Sequence, residues 1–339
     1  MHGNPEQQLT EFKKMSNQTI TASNSWLSRF EISLVSSSPL LYPNARQQVL
    51  VTLTVDPRTG QSISDEELQS LRITTRKNDL FPLIPDNDDG SEWFYSASKN
   101  LYRPYPTTAP HPSSNQDRSG EVHLFQKDFY VMSRAPQGTS IRLYAQITRQ
   151  TTGGPVTYNT ATDITYKTYV DLRTAEIPRF NIPENYSFNR DLVAGNPNGD
   201  LFTWEYQLAG KNVQMPVVEL FSVSSMAPAG MIQWVDRDHT VTRASHVGYA
   251  APGESSFNYN TAVELGPQFS PTTQVSRPRA GHVIVILQGA NNIPYHSQSA
   301  INQGGPCRLQ AIDMYGNEHL LNIAFKDRTP DGRLDLVLL

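Results

Sequence analysis

The chain has 339 residues, a net charge of −4 and a single cysteine, Cys307. Its 28 lysines and arginines are scattered among 32 aspartates and glutamates, which excludes the clustered positive charge that nucleic-acid binding needs. One cysteine also excludes an intrachain disulfide and a metal site built on several cysteines. The length suits two domains better than one.

The first 25 residues are rich in Ser, Thr, Asn and Gln and lack the apolar stretch of a signal peptide. We expect residues 1–25 to form a flexible polar tail. This predicts a cytoplasmic location, or export by a non-classical route. The longest apolar run, residues 283–287, is far shorter than the ~20 residues of a membrane helix, so we expect no membrane span.

Short alternating segments indicate β-strands along the chain from about residue 28. In residues 49–55 and again in 141–147, every second side chain is apolar and most of those between are polar, which is the period of a strand with one buried face. One short helix is predicted over residues 65–71. Ser64 and Glu67 have the spacing of a capping box at its start.

Residues 76–120 interrupt the alternation with six prolines, which are excluded from central strands. We predict a long surface loop here, and long loops often carry function. Tyr95, Tyr102 and Tyr105 are therefore our candidates for contact with a ligand or partner, because tyrosine rings supply contact area at low entropic cost. The alternative is that residues 93–95 form a strand whose rings fill the core.

The second half of the chain predicts more strands. Residues 174–189 contain two prolines and little alternation, which favours a linker or crossover. Residues 282–288 are apolar on both faces, as in a central strand. The last strands, 308–314, 319–325 and 333–339, are predicted to form a meander.

About a dozen strands with almost no helix predict an all-β protein with two sandwich-like domains, residues 26–175 and 176–339. The segment Ala311–Asn317, with its Asp and Gly-Asn turn before a strand, resembles the closing hairpin of bacterial immunoglobulin-like repeats. Residues 43–53 resemble the early strands of the same repeats. This resemblance implies two tandem immunoglobulin-like β-sandwich domains.

No catalytic or nucleotide-binding motif of the common types occurs in the sequence, and we expect no cofactor. One polar constellation could bind a cation or act as acid and base: Asp236, Asp238 and His239. These residues follow a predicted strand, where aspartates also form hydrogen-bonded turns. Both interpretations stay open.

Three functional hypotheses follow. The first is a non-enzymatic binding or structural protein that recognises a protein or glycan through loops, such as a secreted bacterial effector or toxin-associated component. The second is a β-scaffold hydrolase that uses Asp236, Asp238 and His239. The third is a self-assembling capsid, tail or inclusion subunit, which would make the chain a homo-oligomer.

Overall fold

The computed structural model describes residues 25–75, 90–107, 124–180, 184–198, 201–210, 218–226, 230–234, 244–250, 255–256, 283–290, 304–327, 329 and 331–339. Almost all regular structure in these residues is β-strand, so the all-β prediction is confirmed. The chain divides into two compact units, Met1–Glu176 and Ile177–Leu339. The division falls inside the segment 174–189.

Within its described residues, unit 1 contains nine strands and one helix, α1 (Asp65–Gln69), that lies between the third and fourth strands. The strands are β1 (Leu27–Leu34), β2 (Leu40–Leu41), β3 (Val49–Pro57), β4 (Arg72–Thr75), β5 (Trp93–Ser96), β6 (Phe125–Ser133), β7 (Ser140–Thr151), β8 (Gly154–Asn159) and β9 (Val170–Thr174).

These strands form two sheets. The first has the order β1-β3-β6-β5, and all its pairs are antiparallel. The second has the order β2-β9-β7-β4, with β8 also paired to β7. In the second sheet β2 runs parallel to β9.

The two sheets of unit 1 share one hydrophobic core. Val49, Val51 and Leu53 of β3 are at most 1% exposed, and they belong to the same buried cluster as Leu143 and Leu172 of the second sheet. The alternation of residues 49–55 places these side chains on one face of the strand. On the other face of the same strand, Thr52 and Thr54 are also buried and Leu50 is half-buried.

Helix α1 begins as the capping box predicts. The Ser64 hydroxyl accepts a hydrogen bond from the Glu67 backbone N–H at 3.2 Å, and the Glu67 carboxylate accepts one from the Ser64 N–H at 2.9 Å. Glu67 is buried and its other oxygen accepts the Gln150 N–H at 3.3 Å. The helix ends at Gln69, two residues before the predicted end, because Leu71 turns into the core ahead of β4.

In the segment 76–120, the loop prediction is wrong for β5, and the alternative of a strand over 93–95 whose rings fill the core is confirmed. The four residues of β5 are buried and pair with β6, and Trp93 and Tyr95 belong to the core of unit 1. The strand forms because its aromatic side chains bury more area than a loop would allow. Residues 76–89 and 108–123 lie outside the described residues.

Unit 2 contains the remaining strands and a short 3-10 helix, Gly332–Leu334. The strands are β10 (Tyr186–Gly195), β11 (Leu201–Gly210), β12 (Val218–Met226), β13 (Met231–Trp234), β14 (Ala244–Ala250), β15 (Val283–Ala290), β16 (Cys307–Asp313), β17 (Glu318–Phe325) and β18 (Leu336–Leu338).

The strands of unit 2 form a continuous sheet in the order β13-β14-β15-β11-β12-β16-β17-β18, with β10 on the other side of β11. Only the last two residues of β11 pair with β12. Tyr206 and Leu287 from one part of the sheet share a buried cluster with Leu309 and Ile323 from the other part. The two parts of the sheet therefore pack on one shared core.

Two predictions for unit 2 are confirmed. Strand β15 pairs with β11 and with β14, and residues 284–290 are all buried, as expected of a central strand. The last three strands pair consecutively as an antiparallel meander.

Candidate binding site

The candidate site is formed by the segment that follows β5, residues 97–107, which we call the anchored loop. Gln48, at the start of β3, holds this loop with both ends of its amide. Its Nε2 donates to the Ser98 carbonyl at 3.1 Å, and its Oε1 accepts the Asn100 N–H at 2.8 Å. Because Gln48 is buried, both hydrogen bonds are shielded from water, and the loop is fixed to the sheet.

Further contacts fix the rest of the anchored loop. The Asn100 Oδ1 accepts the Tyr102 N–H at 3.1 Å. Gln47 is fully buried, donates to the Arg103 carbonyl at 3.0 Å and accepts the Tyr42 N–H at 2.7 Å. The loop has no regular secondary structure, and side-chain hydrogen bonds satisfy backbone groups that strand pairing would otherwise satisfy.

A pocket of about 260 Å³ lies between the anchored loop and the outer face of the first sheet. Leu50 of β3 and Tyr130 of β6, which are opposite each other in the sheet, line it from the sheet side. Lys99, Tyr102 and Pro104 line it from the loop side. The pocket therefore combines an apolar floor with a wall that carries charge and hydroxyl groups.

The remaining lining residues are Val35, Ser36 and Gln48. Val35 is 49% exposed and adds an apolar rim. The Ser36 hydroxyl accepts the Leu50 N–H at 2.8 Å, and its own hydrogen is donated to no residue that the structure describes. This hydrogen is available to a bound molecule.

The charged and phenolic groups of the pocket are also available. Within the described residues, the Lys99 ammonium forms no ion pair or hydrogen bond, and the phenols of Tyr102 and Tyr130 form no hydrogen bond. Lys99 is exposed, whereas both tyrosines are half-buried. A small ligand could therefore meet several unused hydrogen-bond donors at once.

The three predicted contact tyrosines have different surroundings. Tyr102 lines the pocket. Tyr105 is half-buried, and its ring centre lies 5.1 Å from that of the buried Tyr42, so it fixes the end of the anchored loop.

For Tyr95, the expectation of an exposed ring is wrong. Tyr95 is 9% exposed and its ring packs edge-on against Phe129, with 4.9 Å between ring centres. Burial raises the pKa of its phenol. The alternation of β5 explains this, because Trp93 and Tyr95 share the core face of the strand.

The other predicted site residues, Asp236, Asp238 and His239, lie outside the described residues. Their interpretation as a site and their interpretation as a turn both stay hypotheses. Within the residues that the structure does describe, no group of three or more His, Cys, Asp or Glu side chains could hold a metal ion.

Sequence reasoning missed Lys99 and Tyr130. A signal for the position of the pocket was present, because Leu50 and Tyr130 are large side chains on strand faces that otherwise carry Thr52 and Asp128. Large side chains on a nominally wet face indicate that something covers it. Lys99 had no such signal, since loop residues follow no period.

A second polar cluster lies in unit 2. His319 of β17 stands between Tyr186 of β10 and Asp313 of β16. Its Nε2 lies 3.0 Å from an Asp313 carboxylate oxygen, and its Nδ1 lies 2.7 Å from the Tyr186 hydroxyl. In neutral His319 the Nε2–H donates to Asp313, so Nδ1 accepts the hydrogen of Tyr186.

This cluster is arranged for structure. Asp313 is fully buried and also accepts the backbone N–H groups of Tyr315 and Asn317 at 2.8 and 3.0 Å. Burial, with a smaller contribution from the charge of Asp313, raises the pKa of Tyr186. A phenol held in its protonated form is a poor nucleophile at neutral pH. Through the two hydrogen bonds of His319, the cluster joins β10 to the β16–β17 hairpin.

The lone cysteine is also inert. Cys307 is 1% exposed, and burial raises the pKa of its thiol to about 12. A thiol this strongly protonated supplies almost no thiolate, the reactive form, at neutral pH.

Among the described residues, no helix is both long and apolar enough to cross a membrane.

No family model matches the chain, and no curated protein matches it. Among solved structures, the chain is similar to the adhesin InvE of Yersinia pseudotuberculosis, with 10% identical residues and a TM-score of 0.22. The match covers 89% of this chain and 60% of the adhesin chain. A likeness at this TM-score carries no argument about function.

Proposed function

We propose that this chain is a non-enzymatic binding protein that recognises a protein or glycan partner at the pocket beside the anchored loop. The observation that carries the proposal is a set of donors, on Lys99, Ser36, Tyr102 and Tyr130, that have no acceptor among the described residues and surround an apolar floor. Ligand sites typically combine apolar walls with a few polar groups that fix orientation. Among the described residues that line the pocket there is neither a carboxylate nor a histidine, the groups that most often transfer protons in enzymes.

The attachment of the anchored loop supports the same proposal. Gln47 and Gln48 hold the loop through buried hydrogen bonds, so the pocket exists before a ligand arrives. A preformed site avoids the entropic cost of ordering a loop on binding.

We also propose that unit 1 is an immunoglobulin-like domain. Its first sheet, β1-β3-β6-β5, has the chain order of the A-B-E-D sheet of that fold, and β4, β7 and β9 match its C, F and G strands. This arrangement leaves loops at the ends of the sheets, where such domains bind their partners.

The proposed function is tested with the full-length chain on a glycan array and on a displayed peptide library. We expect at least one glycan or peptide to bind the wild type and to bind the Tyr102→Ala variant at least about tenfold more weakly, since interfacial tyrosines are common hot spots. The readout is the apparent affinity of each retained ligand.

Tyr169→Ala is the matched control, because Tyr169 is a tyrosine of the same unit that directly precedes β9, is 51% exposed and stacks on Arg142. The Tyr169→Ala variant should bind the retained ligands with the affinity of the wild type. Ligands that respond equally to both substitutions, or to neither, would contradict the proposal.

A further inference from the structure

We propose that the pocket beside the anchored loop binds a single carboxylate-bearing sugar residue, such as the acidic end of a glycan. This inference rests on the proposed function and names its ligand class. The observations that carry it are the hydrogen-bonding character, the charge, the size and the floor of the pocket.

The described lining of the pocket carries one ammonium group and three hydroxyl groups. The Lys99 ammonium only donates, and the Ser36 oxygen already accepts the Leu50 N–H, while the two phenols can donate as well as accept. A ligand that complements the ammonium must bring an acceptor, and a carboxylate has two oxygens that only accept. Hydrogen bonds between charged partners are also the stronger ones.

The charge of the anchored loop favours an anion as well. Residues 97–107 contain Lys99 and Arg103 but no aspartate or glutamate. A ligand with a negative charge is therefore attracted to this loop, although the protein as a whole is acidic, with a net charge of −4.

The size of the pocket fits one ring. Its volume of about 260 Å³ lies just below the range of about 300–1,000 Å³ that holds drug-sized ligands. Tyr102 and Tyr130 supply aromatic surface, and Leu50 and Pro104 supply aliphatic surface. These side chains suit the C–H faces of a sugar ring, while the donors suit its carboxylate.

The floor of the pocket disfavours an extended peptide. Peptides that bind to sheets add a strand to a free edge and use its backbone groups. Leu50 and Tyr130 belong to β3 and β6, which are both central strands with partners on each side. Strand addition is therefore excluded at this pocket, and recognition here uses side chains.

The experiment uses the full-length chain on an array of glycans that end in glucuronic, galacturonic or sialic acid. Each glycan is paired with its carboxyl-reduced counterpart, which has the same ring with an alcohol in place of the acid. We expect the acid form of at least one pair to bind about tenfold more tightly than the reduced form, the usual size of a charge-assisted hydrogen bond.

The Lys99→Gln variant should lose this preference and bind both forms with similar affinity. Lys167→Gln is the matched control, because Lys167 is an exposed lysine elsewhere in unit 1, and it should keep the preference. Since Lys99 is itself exposed, the variant is expected to fold, and an unchanged melting temperature checks this.

Two results separate this inference from the proposed function. The ligand class would be overturned if the acid and reduced forms bound equally, or if the preference survived Lys99→Gln. The proposed function would still stand if a ligand of another class bound in a way that depends on Tyr102. The absence of any ligand that responds to Tyr102→Ala would overturn both.

Discussion

Tyr95 and Tyr102 come from one aromatic stretch of the chain, but their side chains have different neighbours. Tyr95 lies on a strand and packs on Phe129 in the core. Tyr102 lies in the anchored loop, where its ring lines a pocket and its hydroxyl has no partner within the described residues. The first ring contributes to stability, and the second is available for binding.

This difference predicts opposite results for two alanine substitutions. Tyr95→Ala should lower the free energy of unfolding by about 3 kcal/mol, because it leaves a cavity in the core. Tyr102→Ala should lower it by less than about 1 kcal/mol, because the ring is only half-buried. Denaturant titration of both variants checks this, and a loss of stability at Tyr102 as large as that at Tyr95 would show that Tyr102 is a core residue.

The prediction of a contact residue is wrong for Tyr95, although the sequence contains a signal for its burial and none for the surroundings of Tyr102. Within a strand, the period of two assigns every side chain to a face once a single buried residue such as Trp93 is known. The anchored loop has no period, so the surroundings of Tyr102 depend on Gln47 and Gln48, which are about fifty residues away in sequence. Nothing in the local pattern indicates that partnership.

At the scale of elements, the β16–β17 hairpin depends on one buried carboxylate. Asp313 accepts hydrogen bonds from the backbone at Tyr315 and Asn317 and from the side chains of Asn317 and His319. Gly316 completes the turn with a φ of 89°, a conformation that favours glycine. The turn was predicted from its Asp, Gly and Asn residues, but the link through His319 to Tyr186 was not.

Asp313→Ala should therefore be strongly destabilising. It leaves several buried donors without an acceptor, which we expect to cost about 3 kcal/mol in unfolding free energy. Asp331→Ala is the control, because Asp331 is exposed and its side chain forms no capping hydrogen bond. Thermal unfolding measures both variants, and similar melting temperatures for the two would show that the buried cluster contributes little.

The elements that sequence predicts well are those with local signals. Helix α1 follows from Ser64 and Glu67, and the central strand β15 follows from its unbroken apolar run. Strand order is different, because it depends on pairings such as that of β2 with β9, whose residues are far apart in the chain. Such pairings are decided by the packing of whole sheets, which no short segment encodes.

At the scale of the molecule, each unit has a hydrophobic core of its own. All the described residues that line the pocket belong to unit 1. We therefore propose that unit 1 recognises the ligand and that Lys99 is the charged group that meets it.

The most direct test of this account is the rate at which lysines of the full-length chain react with an acylating reagent, measured by mass spectrometry. The rates are compared with and without the acidic glycan that the array shows to bind best. We predict that the glycan slows acylation of Lys99 several-fold and leaves Lys167 unchanged. Equal rates at Lys99 with and without bound glycan would contradict the account.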